Sequence, residues 1–318
     1  MFYVFFVIGA LILLGFTYLL HREIRRFPGP PEWGRTPRWA KRFRVAFAAF
    51  VLLLACVIFW AFLVEPNRLV TREQTIAIDN WPKELDGLKI AVLSDIHVGG
   101  WCIDDQKMRL IIERTNKLQP EIIVILGDYM SGDSETSDRV EPEVFGPVLK
   151  ELKAPLGVYS VLGNHDWWWK GQRVRDGLES NGIKVLEDEV LEVKRQGRSV
   201  WLAGLADLWT RPQRIEPTIS QVPSGQPIIA LTHNPDIFPR VPERVQLLLA
   251  GHTHGGQIRF PIMGTVIEPS RVSESYERGH VFENNHHLFV TTGIGTSILP
   301  IRFGVPPEIV LLTVRSKQ

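Results

Sequence analysis

Residues 89–97 read Lys89-Ile90-Ala91-Val92-Leu93-Ser94-Asp95-Ile96-His97, an apolar run that breaks off into Ser, Asp and His. A short run without polar alternation suits a strand buried on both faces. The same shape recurs along the chain. Glu121–Leu126 leads into Gly127-Asp128, and Gly157–Leu162 into Gly163-Asn164-His165-Asp166. Pro227–Leu231 leads into Thr232-His233-Asn234, and Gln246–Ala250 into Gly251-His252-Thr253-His254-Gly255-Gly256. Val200–Leu205 is a further run of this kind. Between the first two, Asp104 stands at an N-cap position ahead of Met108, Ile111, Ile112 and Leu118 at helical spacing, which predicts an amphipathic helix. Alternating strands and helices predict an α/β fold with its functional groups at the carboxyl ends of the strands.

Toward the amino terminus the pattern changes. Residues 1–20 and 45–64 contain no Asp, Glu, Lys or Arg. As helices, 20 residues span about 30 Å, the thickness of a bilayer's hydrocarbon core. Both are therefore expected to be transmembrane helices. The loop between them, 21–44, carries eight Lys/Arg and two Glu, so it is expected on the cytoplasmic side, with the large carboxyl-terminal region extracytoplasmic. This predicts a multi-pass cell-membrane protein: a helical hairpin over 1–64, a linker over 65–78 and a large α/β domain over 79–318. From Glu65 onward, 28 basic residues face 33 acidic ones, and nothing in that balance suggests a nucleic-acid-binding surface. Cys56 lies in the second apolar run, so a disulfide with Cys102 is not expected.

Five of the nine histidines fall in the clusters that end apolar runs. Divalent metals of borderline hardness take oxygen and imidazole ligands, and two such ions held close together need a carboxylate that bridges them. A lone Asp after a strand is often a helix cap, and a lone His is usually a satisfied surface or core residue. Five clusters together are different, because burying so many ionisable groups without a cation is expensive. The mixture of Asp, Asn and His suits Mn, Fe or Zn better than Ca.

Asp95-x-His97, Gly127-Asp128, Gly163-Asn164-His165-Asp166, His233 and Gly251-His252-x-His254 together resemble the calcineurin-like metallophosphoesterase family in identity, order and spacing. The resemblance spans roughly 79–314. GHTHGGQI at 251–258 and GIGTSILPIRFGVPPEI at 293–309 look like the YkuE-like bacterial branch, and the hairpin is similar to its transmembrane members. The resemblance implies a four-layer α-β-β-α sandwich and two divalent metal ions. Asp95, His97 and His254 would hold the first, Asn164, His233 and His252 the second, and Asp128 would bridge them. His165 would be the general acid that protonates the departing oxygen. Protein phosphatases of the family follow the second-strand Asp with Asp-Arg, whereas Asp128 is followed by Tyr129-Met130-Ser131-Gly132, which argues against a phosphoprotein substrate. Asp133 and Asp166 are both candidates for orienting His165.

Trp167, Trp168 and Trp169 form either an apolar lip near the metals or ordinary packing under a loop. Arg211 and Arg302 read equally well as phosphate contacts and as surface ion-pair partners. The expected function is hydrolysis of a phosphodiester, phosphomonoester or pyrophosphate bond in a lipid-linked or envelope substrate. One specific alternative is a UDP-2,3-diacylglucosamine pyrophosphatase of lipid A synthesis, whose cytoplasmic substrate conflicts with the expected orientation. An alternative of another class is a non-catalytic, membrane-tethered metal-binding module. A transporter or receptor is disfavoured, because two helices without intramembrane charge offer no pathway.

Overall fold

A computed structural model describes Tyr18, Arg22 and residues 38–132, 140–266 and 270–317, which fall into two units, 1–59 and 60–318. In the first unit, α1 (Arg38–Phe59) exposes Phe43, Val45, Phe50, Leu52, Leu53, Leu54, Ile58 and Phe59. Among the described residues one helical stretch, Arg42–Asn67, is long and apolar enough to cross a membrane, by length and composition. This stretch covers the second expected span, 45–64. The first, 1–20, lies outside the described residues apart from Tyr18.

The second unit carries two six-stranded sheets. Across the first run β1 (Val70–Ile78), β14 (Glu308–Ser316), β2 (Leu88–Leu93), β3 (Ile122–Leu126), β4 (Val158–Val161) and β5 (Lys184–Val185). Across the second run β12 (Gly279–Glu283), β13 (His286–Val290), β9 (Leu247–Ala250), β8 (Ile228–Leu231), β7 (Arg198–Gly204) and β6 (Glu189–Arg195). Strands β2 to β5 are mutually parallel, as are β7, β8, β9 and β13. A small hairpin joins β10 (Arg259–Phe260) to β11 (Gly264–Thr265).

Alternate residues of each strand feed different cores, because successive side chains point to opposite faces. Ile90, Val92, Ile122, Val124 and Leu126 meet Val200, Leu202, Ile229, Leu231, Leu247 and Leu249 between the sheets. Ala91, Leu93, Ile123 and Ile125 turn the other way, onto α2 (Asp105–Lys117), α3 (Pro142–Leu149) and α5 (Gly171–Glu179), through Met108, Ile111, Phe145, Leu149, Val174 and Leu178. The outer face of the second sheet is covered by Ile215 and Ile219 of α6 (Ile215–Ile219) with Ile237, Phe238 and Tyr276. The helix expected after β2 forms, and the Asp104 carboxylate accepts from Lys107 N at 2.8 Å as its cap.

Residues 65–78 do not behave as a linker. Glu65 is buried and accepts from Trp60 Nε1 (2.7 Å) and Gly304 N (3.0 Å), and β1 runs parallel to β14 in register Val70 with Glu308. The strand escaped the sequence reading because Thr71 to Thr75 are polar or exposed, and only Ile76 and Ile78 reach the inter-sheet core. Edge strands carry a weaker apolar signal than central ones for this reason.

Candidate metal centre

Every polar cluster expected from the sequence lies at the carboxyl end of its strand, and five of them converge on one point. Asp95 and His97 follow β2, Asp128 follows β3, Asn164 and His165 open α4 (Asn164–Trp169) after β4, His233 follows β8, and His252 and His254 follow β9. Asp95, His97 and His254 form one group and Asp128, His233 and His252 a second, the donor atoms within each lying within 4.8 Å of one another. His97 Nε2 stands 3.2 Å from His254 Nε2, whose distance to Asp95 Oδ1 is 3.3 Å. His233 Nε2 stands 3.2 Å from both His252 Nδ1 and Asp128 Oδ2. Asp128 Oδ2 also faces His97 Nε2 at 3.8 Å and His165 Nε2 at 4.0 Å, so this oxygen lies between the groups.

The backbone bends unusually to achieve this. Asp95, His97, Asp128, His252 and His254 all have φ between 49° and 70°. That left-handed region is sparsely used by residues other than glycine and is strained, although Asp and His tolerate it better than most. The loops also approach one another closely. A Cβ at Gly163 would collide with Asp128 Oδ1, and one at Gly251 with Ser94 Oγ, so only glycine fits there.

Backbone carbonyls orient the imidazoles. His97, His233 and His165 donate from Nδ1 to Met130 O (2.8 Å), Leu126 O (2.6 Å) and Gly132 O (2.6 Å), which leaves each Nε2 facing the centre. No described carboxylate orients His165; Asp133 lies outside the described residues. Asp166 has another task. Its fully buried carboxylate accepts from Asp128 N (2.9 Å), Tyr129 N (2.9 Å), Met130 N (3.0 Å) and Gly163 N (2.9 Å), tying the β3 loop to the β4 loop. Burial and then the charge of Asp128 push its carboxyl up to about 7, against the amides of Gly163 and Met130.

Burial pushes the imidazoles of His97 and His252 down to about 4 and about 3 and also lowers His254, which keeps their lone pairs free to coordinate. Burial opposes charge on His233 too, but the Asp128 carboxylate, with Asp95 and Asp207, pushes it up to about 10. Burial likewise opposes ionisation of Asp128, yet His233, His165 and His97 hold its carboxyl well below the usual range.

The donor set fits divalent cations. Asp95 Oδ1, Asn164 Oδ1 and His252 Nε2 are buried with no hydrogen-bond partner among the described residues. Unsatisfied acceptors of this kind are costly and rare. Two of the three are oxygens of expected ligands, which a cation would satisfy.

Three features differ from the sequence reading. The Trp triplet divides its roles: Trp169 is buried in the helix-side core, and Trp167 donates to Glu187 (2.8 Å) beneath the guanidinium of Arg211. Trp168 is exposed, its ring centroid 5.0 Å from His165 and 6.2 Å from that of Trp209. Trp209 stands edge-on to His252 at 4.4 Å, on a turn that Asp207 caps by accepting from Trp209 N and Thr210 N. Nothing in the spacing of Trp209 announced this position. Arg302 is neither a phosphate contact nor a surface ion-pair partner. It is fully buried, donates to the carbonyls of Thr292, Gly295 and Val305, and lies 3.3 Å from His254 Nδ1.

His97, Asp128 and His165 form a third group whose donor atoms lie within 4.8 Å of one another. On the expectation that His165 serves as the general acid, its replacement by alanine should lower turnover about 10²–10⁴-fold while metal content stays unchanged. Metal analysis of the purified variant decides, since loss of a metal equivalent would make His165 a ligand.

Residues 88–256 match the calcineurin-like phosphoesterase family profile. The uncharacterized metallophosphoesterase YkuE of Bacillus subtilis is 32% identical over 80% of this chain and 88% of its own. A transmembrane protein with metallophosphoesterase domain from Danio rerio is 31% identical over 77% of this chain and 56% of its own. Phosphodiesterase YaeI of Escherichia coli is 29% identical over 70% of this chain and 81% of its own. With its mixed α/β sheets and clustered His and Asp side chains, the chain belongs to the calcineurin-like phosphoesterase family and is a hydrolase.

Proposed function

We propose that the chain is a membrane-anchored phosphoesterase that holds two divalent cations and hydrolyses a phosphodiester, phosphomonoester or pyrophosphate bond in a lipid-linked or envelope substrate. The observation that carries this reading is the convergence of Asp95, His97, Asp128, His233, His252 and His254, with buried Asp95 Oδ1 and Asn164 Oδ1 left unpartnered beside them. Asp95, His97 and His254 are assigned to one cation, Asn164, His233 and His252 to the other, and Asp128 to both. The ligand set favours Mn, Fe or Zn. When bound, such ions neutralise phosphoryl oxygens and make hydroxide available from water near neutral pH.

The protein's own part is orientation and proton delivery. Gly132 O fixes the His165 ring through Nδ1, so Nε2 faces the centre 4.0 Å from Asp128 Oδ2. In line with attack on phosphorus, the bond to the leaving oxygen breaks and the His165 Nε2 proton passes to that oxygen. The relative named a phosphodiesterase supports a diester. The exposed apolar side chains of α1 support the anchor, and the basic loop 21–44 supports an extracytoplasmic catalytic unit.

The test is hydrolysis of bis-p-nitrophenyl phosphate, a p-nitrophenyl monoester and UDP-2,3-diacylglucosamine by the full chain, with Mn and after chelation. Chelation is expected to abolish diester hydrolysis and Mn to restore it. Selective cleavage of the UDP-lipid would instead favour the lipid A reading and a cytoplasmic site. Metal binding without any cleavage would favour the binding module.

A further inference from the structure

Two loops beside the centre expose large aliphatic side chains. At the tip of the β10–β11 hairpin, Ile262 is 98% and Met263 81% exposed, and on the loop after Ser297, Ile298 is 96% exposed with Leu299 half exposed. Leaving such side chains in water forgoes much of their burial energy, so grouped exposed aliphatics mark a contact surface. Ile298 also has φ of +61°, a region that β-branched residues avoid unless neighbouring structure imposes it. Here Ser297 N donates to Gln257 Oε1 (2.7 Å) and Gln257 Nε2 to Ser297 O (3.0 Å), so the loop is braced with its apolar residue pointing outward.

The two loops are one structure. Arg259 N donates to Phe303 O and Phe303 N to Gln257 O, both at 2.8 Å, and the rings of Phe260 and Phe303 are 5.1 Å apart. On one side this structure reaches the centre: Ser297 Oγ lies 3.4 Å from His165 Nε2, and Gly295 N donates to Asp95 O at 2.6 Å. On the other side it holds the chain that emerges from the apolar helix. Arg302 N donates to Ala61 O (3.0 Å) and Gly304 N to Glu65 Oε2 (3.0 Å), and Ala61 is two residues beyond Phe59, the last residue of α1. Neither 257–266 nor 293–307 contains an Asp or Glu. Anionic headgroups would therefore meet no carboxylate on these loops.

We propose that Ile262, Met263, Ile298 and Leu299 seat in the interfacial layer of the bilayer that holds the apolar helix, so that the centre receives phosphate esters of lipids lying in that bilayer. The inference rests on the reading of the chain as a membrane-anchored phosphoesterase. The occupant is a lipid surface, because the structure that presents these side chains is hydrogen-bonded to Ala61 and Glu65, in the carboxyl-terminal part of the apolar stretch Arg42–Asn67.

The test uses the full chain with Cys56→Ser and Cys102→Ser, reconstituted in phosphatidylethanolamine/phosphatidylglycerol vesicles. Single cysteines carrying a nitroxide label are placed at 262, 263 and 298, with controls at exposed Lys83 and Glu243, which precede β2 and β9 at the opposite ends of the strands from the centre. Labels at 262, 263 and 298 are expected to be markedly more accessible to oxygen than to a water-soluble nickel chelate, and the controls the reverse. Ile262→Ser with Met263→Ser is expected to leave bis-p-nitrophenyl phosphate hydrolysis unchanged and to lower hydrolysis of vesicle-borne phosphatidic acid or phosphatidylglycerol about tenfold, through weakened interfacial binding. Labels at 262 and 298 as water-exposed as the controls, in protein that floats with the vesicles, would overturn the proposal. Protein that does not float overturns the anchor, and absence of diester hydrolysis overturns the phosphoesterase reading, while label depth reports on the surface in either case of catalysis.

Discussion

Replacement of Asp128 by alanine is expected to lower kcat/KM for a phosphodiester by about 10³-fold or more, with loss of at least one metal equivalent. Asp128 Oδ2 is the acceptor within 4.0 Å of His97, His165 and His233 at once, so its removal takes a shared anion from both donor groups. Charge stabilisation in such centres is worth several kcal/mol. A loss of about 4 kcal/mol corresponds to roughly a thousandfold in rate. The second carboxylate oxygen accepts from His165 N at 2.9 Å, so the variant also loosens the turn that presents the expected acid. Steady-state kinetics together with metal analysis by mass spectrometry make the check. A variant that retained both metal equivalents and wild-type turnover would remove Asp128 from the centre.

The second large effect is expected at Asp166, whose carboxylate is not among the clustered donor groups and instead accepts from backbone amides. Asp166→Ala leaves the amides of Asp128, Tyr129, Met130 and Gly163 without their shared acceptor in a fully buried position. Each unsatisfied buried donor costs about 1–3 kcal/mol, and water entering the gap recovers part, so a loss of about 3–6 kcal/mol is expected. That is a large share of a typical domain's stability of about 5–15 kcal/mol. Urea denaturation of the variant should show a midpoint lowered accordingly. Activity should fall too, because the same four bonds hold Asp128 beside Asn164 and His165. Unchanged urea stability would show that the two loops hold their positions without this carboxylate.

Particular residues show how far the sequence was readable. The six central runs became β2, β3, β4, β7, β8 and β9 within a residue or two, because strands buried on both faces must be apolar throughout. The edge strand β1 was read as a linker, since only two of its nine residues, Ile76 and Ile78, are buried. Asp166 was left open as a partner of His165, because nothing local distinguishes a side chain that accepts from four distant amides from one that orients its neighbour. Arg302 was left open between a phosphate contact and a surface ion-pair partner, because a buried guanidinium satisfied by carbonyls has no signature in the chain.

By itself, the sequence determined which side chains are available as donors, in what order, and at which strand ends, because each cluster is local to the run that precedes it. Only the tertiary structure decided how those clusters meet. Left-handed backbone at five donor residues, the Asp166 clamp, and the approach of Trp168 to Trp209 all depend on contacts between segments tens of residues apart. Short-range patterning encodes an element and the residue at its end, whereas the distance between two such ends is set by how the sheets pack.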